Sequence, residues 1–271
     1  MNKLLKTEWL KIRKYPAFWW MLAIIALSYP GINYLFYNIY TSLLAKGGTQ
    51  GQMIKMLVGN PFSFPEAWHT VASASSLFIF IPSIVVIMFI TNEYSFKTHR
   101  QNVIDGWSRK QFMLAKMVDV LIISAIITLV YLLVAIVIGT INKADGTAGV
   151  WVNSHYIGLF ALQTFSQLSL AFLVAFLLRK AFIALGIFLF YFVVVEPAVV
   201  GIGKFKFHDM GRYMPLEISD RLIPVPAFLG KLDEKGYKEA LANINQHIIL
   251  TVLLVALTWF LCFWLNSKRD L

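Results

Sequence analysis

The stretch V-L-I-I-S-A-I-I-T-L-V-Y-L-L-V-A-I-V-I, Val120 to Ile138, holds nineteen consecutive residues without a charge. A hydrocarbon core of ~30 Å is crossed by ~20 helical residues, so this run reads as one membrane-spanning helix. Five further runs have the same character: Ala17 to Tyr40, Val71 to Thr91, Tyr156 to Leu178, Ala181 to about Ile202, and Ile248 to Leu265. They are continuously apolar and do not alternate with period two, which excludes a β-barrel. The fold class is therefore an all-α polytopic membrane protein. One transmembrane domain covers 1–271, with spans near 17–40, 71–91, 118–140, 156–178, 181–202 and 248–265.

Composition agrees. The chain is 58% hydrophobic and 14% charged, with a mean hydropathy of +0.68, where soluble domains carry roughly 25% charged residues. The first run is not a cleavable signal, because an apolar signal region covers only about 7–15 residues and ends at small residues. This run is longer and ends in Tyr34, Tyr37 and Tyr40. The single cysteine, Cys262, lies in the last span and has no internal disulfide partner.

A net charge of +10 raises the question of nucleic acid, but the placement of the 24 Lys and Arg follows the membrane instead, and no nucleic-acid partner is expected. Fourteen fall before span 1, between spans 2 and 3, between 4 and 5, or after 6; the two short connections on the other side hold three, Lys46, Lys55 and Lys143. The positive-inside rule puts both termini in the cytoplasm of a multi-pass cell (inner) membrane protein. The connection from Lys204 to His247 mixes seven basic with six acidic residues and is expected outside. Its portion from Tyr213 to Leu229 is amphiphilic and is expected to dip into the membrane surface without forming a seventh span. Before span 1, Leu5, Trp9 and Ile12 share one helical face opposite Lys3, Lys11 and Lys14. That pattern suits an elbow helix lying among headgroups, the alternative being a plain positive flank.

No catalytic constellation is present. There is no G-x-x-x-x-G-K-[ST] phosphate loop, no G-x-S-x-G turn and no H-E-x-x-H, and the five histidines (His69, His99, His155, His208, His247) are scattered at loops and span ends, where they read as solvated or interfacial. No catalytic, cofactor-binding or metal residue is therefore assigned, and the chain does not read as an enzyme. One charge lies at an awkward depth. Ala181 to Val195 is only fifteen residues, about 22 Å of helix. A full crossing must carry Glu196 and Pro197 into the bilayer, or the span ends early with Glu196 wet at its end. A proline-broken helix with a buried acid marks Glu196 and Pro197 as transport-relevant candidates.

The segment N-E-Y-S-F-K-T-H-R-Q-N-V-I-D-G-W-S-R-K-Q-F-M-L-A-K, Asn92 to Lys116, interleaves Val103, Ile104, Trp107 and Phe112 with charges. Asp105-Gly106 forms a turn and Ser108 can N-cap a helix entering span 3. Such a half-apolar knob reads either as a docking surface or as a hairpin with no partner. Glu93, then Thr98 and Arg100, then Gly106-Trp107-Ser108-Arg109, Phe112 and Lys116 resemble the E…T…R…G-x-S-R-x-x-F…K pattern of ABC-2 type transporter permeases. The resemblance runs over nearly the whole chain: basic elbow, six spans, cytoplasmic ends and a larger external loop between spans 5 and 6. Trp107 stands where the pattern usually has Pro.

The resemblance implies a transmembrane subunit, usually of an exporter, that pairs with a second permease as a homo- or heterodimer. It also implies a cytoplasmic ABC ATPase on a separate chain, which would carry ATP and Mg. The loop between spans 2 and 3 would be the coupling helix, with Glu93, Arg100, Asp105, Gly106, Trp107, Ser108, Arg109, Phe112 and Lys116 as its candidate residues. An ion-coupled secondary transporter acting without an ATPase is the alternative, and only Glu196 could serve it. Span 1 carries Ser28, Asn33 and Asn38, and span 4 carries Gln163, Ser166, Gln167 and Ser169. These read either as a polar lining or as hydrogen bonds joining helices.

Overall fold

The computed structural model describes residues 9–45, 59–98, 106–142, 149–206, 209–230 and 233–268. Among them all regular structure is helical. Four spans are single helices: α1 (Pro16–Ala45), α4 (Arg109–Ile141), α5 (His155–Leu178) and α11 (Ile244–Lys268). The second is a bent pair, α2 (Ala67–Ser76) and α3 (Phe80–Ser95), and the fifth joins α6 (Ala181–Phe190) to α7 (Glu196–Lys206). The connection between spans 5 and 6 contains three short helices, α8 (Pro215–Asp220), α9 (Ala227–Gly230) and α10 (Glu234–Ala242). Among the described residues, five helices are long and apolar enough to cross a membrane, or six if the bent pair is one span. The chain is therefore a multi-pass helical membrane protein.

Span 2 is longer than its apolar run and bends by 49° between its halves. At the break Phe78 and Ile79 donate to carbonyls three residues back, Ser75 and Ser76, in place of four. Ser76 Oγ bonds the Ser73 carbonyl at 2.8 Å, and Pro82 has no N–H to continue the ladder. Tightened turns, serine back-bonding and proline are established causes of such kinks.

Span 5 does not end at Pro197. Residues Tyr191–Val195 form a π-turn in which the Glu196 N–H reaches the Tyr191 carbonyl, five residues back. The wider turn takes up the register that Pro197 would otherwise break, and the candidate span runs on to Lys204. Glu196 is consequently carried into the protein and is 4% exposed.

The core runs from Ile12 to Cys262 as one cluster, with α5 at its centre against α3, α4 and α11. Phe160 stacks on Tyr131 at 4.5 Å between ring centroids and Phe172 on Trp259 at 4.9 Å. Trp20, Leu27, Phe182 and Val193 point outward, as helices facing hydrocarbon require. Close packing is visible at Gly139, where any Cβ would overlap the Phe64 ring.

Contacts group the span ends into two sets. At one end Lys11 meets Glu93, Arg179 lies over Tyr94, and Arg109 bonds Ser267. At the other, His69 bonds the Pro224 carbonyl, Trp68 stacks on Trp151, and Asn60 bonds Asn142. This is the up-and-down order that the apolar runs require.

Candidate functional site

The helix ends that flank the connection between spans 2 and 3 meet in a buried charge cluster. Residues 9–14 are helical, turn at Tyr15 and lead into α1. Lys11 reaches across to Glu93 Oε1 at 3.2 Å, and Lys116 Nζ donates to the same oxygen at 2.7 Å and to Asp119 Oδ2 at 3.1 Å. The Lys116 side chain is fully buried, and those of Glu93 and Asp119 are 7% and 2% exposed. The ammonium also lies 5.0 Å from the Phe89 ring centroid and 5.6 Å from that of Phe112. A buried cation among carboxylates and ring faces is compensated only while all of them stay in place. The cluster thus ties the N-terminal segment, the end of span 2 and the start of span 3 into one unit.

Above it, Ser108 begins α4 with a reciprocal cap. The Gln111 N–H donates to Ser108 Oγ at 3.2 Å, and the Ser108 N–H donates to Gln111 Oε1 at 2.9 Å. This is the N-cap expected from the sequence, completed by a glutamine three residues on. Gly106 has φ +93° with open space around it, so its need for glycine is conformational. Arg109 donates to the Ser267 carbonyl at 3.2 Å, and Asn266 donates back to the Arg109 carbonyl at 2.8 Å, which fastens α4 to the end of α11.

The candidate coupling residues therefore separate by position. Glu93, Phe112 and Lys116 are buried within the chain, Phe112 at 6% exposure, so they support the loop from below. Gly106 and Ser108 are exposed, and Trp107 and Arg109 are half-buried. The Trp107 ring lies 5.9 Å from Lys11 Nζ. Arg100 and Asp105 lie outside the described residues. Lys11 and Asp119, which complete the cluster, were not singled out by sequence; only a carboxylate three residues after Lys116 hinted at the second.

At the opposite end, Glu196 accepts the Glu217 N–H at 2.6 Å and so caps α8. That short helix is also held from span 4, where Gln163 Nε2 and Gln167 Nε2 donate to Asp220 Oδ1 at 2.8 and 2.5 Å. Arg221 closes the segment with bonds to both Asp209 oxygens and to Glu217 Oε1. Arg221 holds the Asp209 carboxyl below its ordinary value against desolvation. Burial pushes Asp220 up to about 7, the Gln163 amide lowering it and Glu217 raising it. The residue as a whole is nevertheless solvent-exposed, lining a cavity with Glu217, Arg221 and His247.

Three of the polar side chains of span 4 join elements, while Ser166 Oγ is buried without a hydrogen-bond partner among the described residues. Gln163 and Gln167 hold the 5–6 connection, and Ser169 accepts the Trp259 N–H at 3.0 Å. In span 1 Asn33 is buried and bonds the Tyr29 carbonyl of its own helix. Two histidines depart from expectation: His69 and His247 are each 2% exposed, not wet, because the 5–6 connection folds back over them. Asp220 was missed entirely, since nothing in its own neighbourhood points to glutamines more than fifty residues away.

A polytopic helical protein whose second and third spans are locked together by a buried charge cluster is the class these features define. Residues 4–195 match the family described as ABC-2 family transporter protein, and the chain belongs to that family. It is accordingly the membrane-spanning part of an ABC transporter. A search of curated proteins found no match.

Proposed function

We propose that this chain is the permease subunit of an exporter driven by ATP hydrolysed, with Mg, on a separate cytoplasmic ATPase chain. It would act beside a second permease, with both termini on the cytoplasmic face of the cell (inner) membrane. The observation that carries the reading is the pair of helix ends flanking the connection between spans 2 and 3: within the family match, Ser108 caps the start of α4 and the Glu93–Lys116–Asp119 cluster ties that start to the end of span 2. Ends so tied transmit a push to spans 1, 2 and 3 as one body, which is what alternating access demands of a coupling helix. Residues 9–14 serve as the elbow, tied to the cluster by Lys11. Glu196 and Pro197 serve transport at the far end, where Glu196 caps α8 and the π-turn before Pro197 supplies a local hinge.

Cysteine cross-linking tests this. In a Cys262→Ala background, cysteines at Asp105 and Lys110 should cross-link to a co-expressed ATPase with a phosphate loop. Gly106→Val and Lys110→Glu should leave the permease abundant while uncoupling hydrolysis from transport. Arg109→Glu should do so too, with some loss of stability from its broken tie to Ser267. Absence of any cross-link, or full transport by all three variants, refutes the proposal.

A further inference from the structure

At the end of the bundle that carries the N-terminal segment, spans 2 and 4 each stop on a cation in left-handed backbone, Lys97 at φ +55° and Arg179 at φ +56°. Glycine takes that conformation freely and a longer side chain does not, so both residues hold it against local preference. The Arg179 N–H closes span 4 on the Ala175 carbonyl at 2.9 Å, and its guanidinium lies 4.9 Å from the Tyr94 ring centroid. Lys97 stands three residues after Tyr94, its N–H bonded to the Tyr94 carbonyl at 3.2 Å, and Lys180 begins span 5. Among the described residues none of these three cations makes an ion pair or a side-chain hydrogen bond, and Arg179 Nε is buried with no acceptor. The carboxylates described at this end, Glu93 and Asp119, are drawn to Lys11 and Lys116. The Tyr94 face steadies the guanidinium, and the C-terminus of span 4 attracts its charge. Neither supplies an oxygen to its five N–H donors.

We infer that Lys97, Arg179 and Lys180 bind the phosphodiester headgroup of an anionic membrane lipid, with Arg179 as the central contact and the two lysines as flanking charges. A guanidinium fork matches two oxygens of one phosphate, and a lysine beside it adds attraction without fixed geometry. Arg179 and Lys180 are half-buried and Lys97 is exposed, so a headgroup can reach all three. The surroundings choose the occupant. Phe96 and Phe182, neighbours in the chain of Lys97 and Lys180, are 76% and 91% exposed, and Leu177 is exposed two residues before Arg179. Cations next to bare apolar side chains at the end of a span lie where headgroups meet acyl chains. A lipid covers both kinds of surface at once, whereas a soluble anion meets only the charges. The site goes beyond the transport reading and needs no ATPase for its test.

The test is native mass spectrometry of the complete chain released from dodecyl maltoside micelles. It is titrated with dioleoylphosphatidylglycerol or dioleoylphosphatidylcholine, which share acyl chains and a phosphate but differ in net charge. A basic side chain at the membrane surface contributes about fivefold in affinity for an anionic lipid, so phosphatidylglycerol should bind at least about tenfold tighter than phosphatidylcholine. Arg179→Gln and, separately, Lys97→Gln should each weaken phosphatidylglycerol about fivefold and leave phosphatidylcholine unchanged. Lys97 is exposed, so its variant tests the site even if Arg179→Gln fails to fold. Lys268→Gln, which removes a cation set over Trp264 at the same end, should keep the full preference. Excess inorganic phosphate should not displace the bound lipid. Equal affinity of the wild-type chain for the two lipids overturns the inference outright. So does a preference unchanged in either site variant, or one that falls as far in Lys268→Gln. Displacement by inorganic phosphate overturns the lipid as occupant.

Discussion

Replacing Lys116 by Met removes a fully buried ammonium and leaves two carboxylates behind. Asp119, 2% exposed, loses the ammonium at 3.1 Å, and Glu93 loses the closer of two lysines, Lys11 at 3.2 Å being the other, with a side chain 27% exposed. Breaking a buried ion pair by deleting one partner costs about 3–5 kcal/mol, because the remaining charge stays desolvated. At about 1.4 kcal/mol per decade this is roughly a 10²–10⁴-fold loss in the folded-to-unfolded ratio. For a domain of this size it corresponds to a fall of roughly 6–20 °C in Tm. Lys11→Met breaks a more exposed pair and should cost only about 0.2–1 kcal/mol. The triple variant Glu93→Gln, Lys116→Met, Asp119→Asn has no stranded charge and should recover most of the loss. Thermal unfolding of the detergent-purified variants, followed by intrinsic fluorescence, gives all three values. A Lys116→Met protein within about 1 kcal/mol of Lys11→Met, or a triple variant less stable than the single, would refute the reasoning.

Glu196→Gln retains an oxygen for the Glu217 N–H, so abundance should be near normal while transport by the reconstituted complex falls. Glu196→Leu removes the cap and should lose about 1–3 kcal/mol by thermal unfolding; unchanged Tm in the Leu variant would refute the capping role. For orientation, cysteines at Thr49 and Lys235 in a Cys262→Ala background should label from outside intact cells and one at Lys110 should not, with external labelling at Lys110 reversing the assignment. Gly139→Leu places side-chain atoms where the Phe64 ring lies and should lower stability by about 1–3 kcal/mol, whereas Gly158→Leu, with open space around its Cα, should stay close to wild type.

The helical class, the apolar helices long enough to cross a membrane and the order in which they follow one another were legible in the sequence, because each rests on a property local to its own segment. A bilayer has no water to satisfy a backbone, so every crossing must be a helix of fixed length, and a run such as Val120 to Ile138 declares itself without reference to the rest of the chain. The start of α4 was legible for the same reason, since Ser108 and Gln111 complete each other within one turn. Pairing across helices was not. Whether Lys116 meets Glu93, Phe112 packs beneath it, or Gln163 and Gln167 turn toward Asp220 depends on how far each helix is rotated and how deep it sits. Hydropathy sums single residues and carries neither quantity. The same limit hid the bend in span 2 and the π-turn that lets span 5 carry Pro197 across. Those were settled only by packing, which selects among the few helical registers that a run of apolar residues leaves equally acceptable.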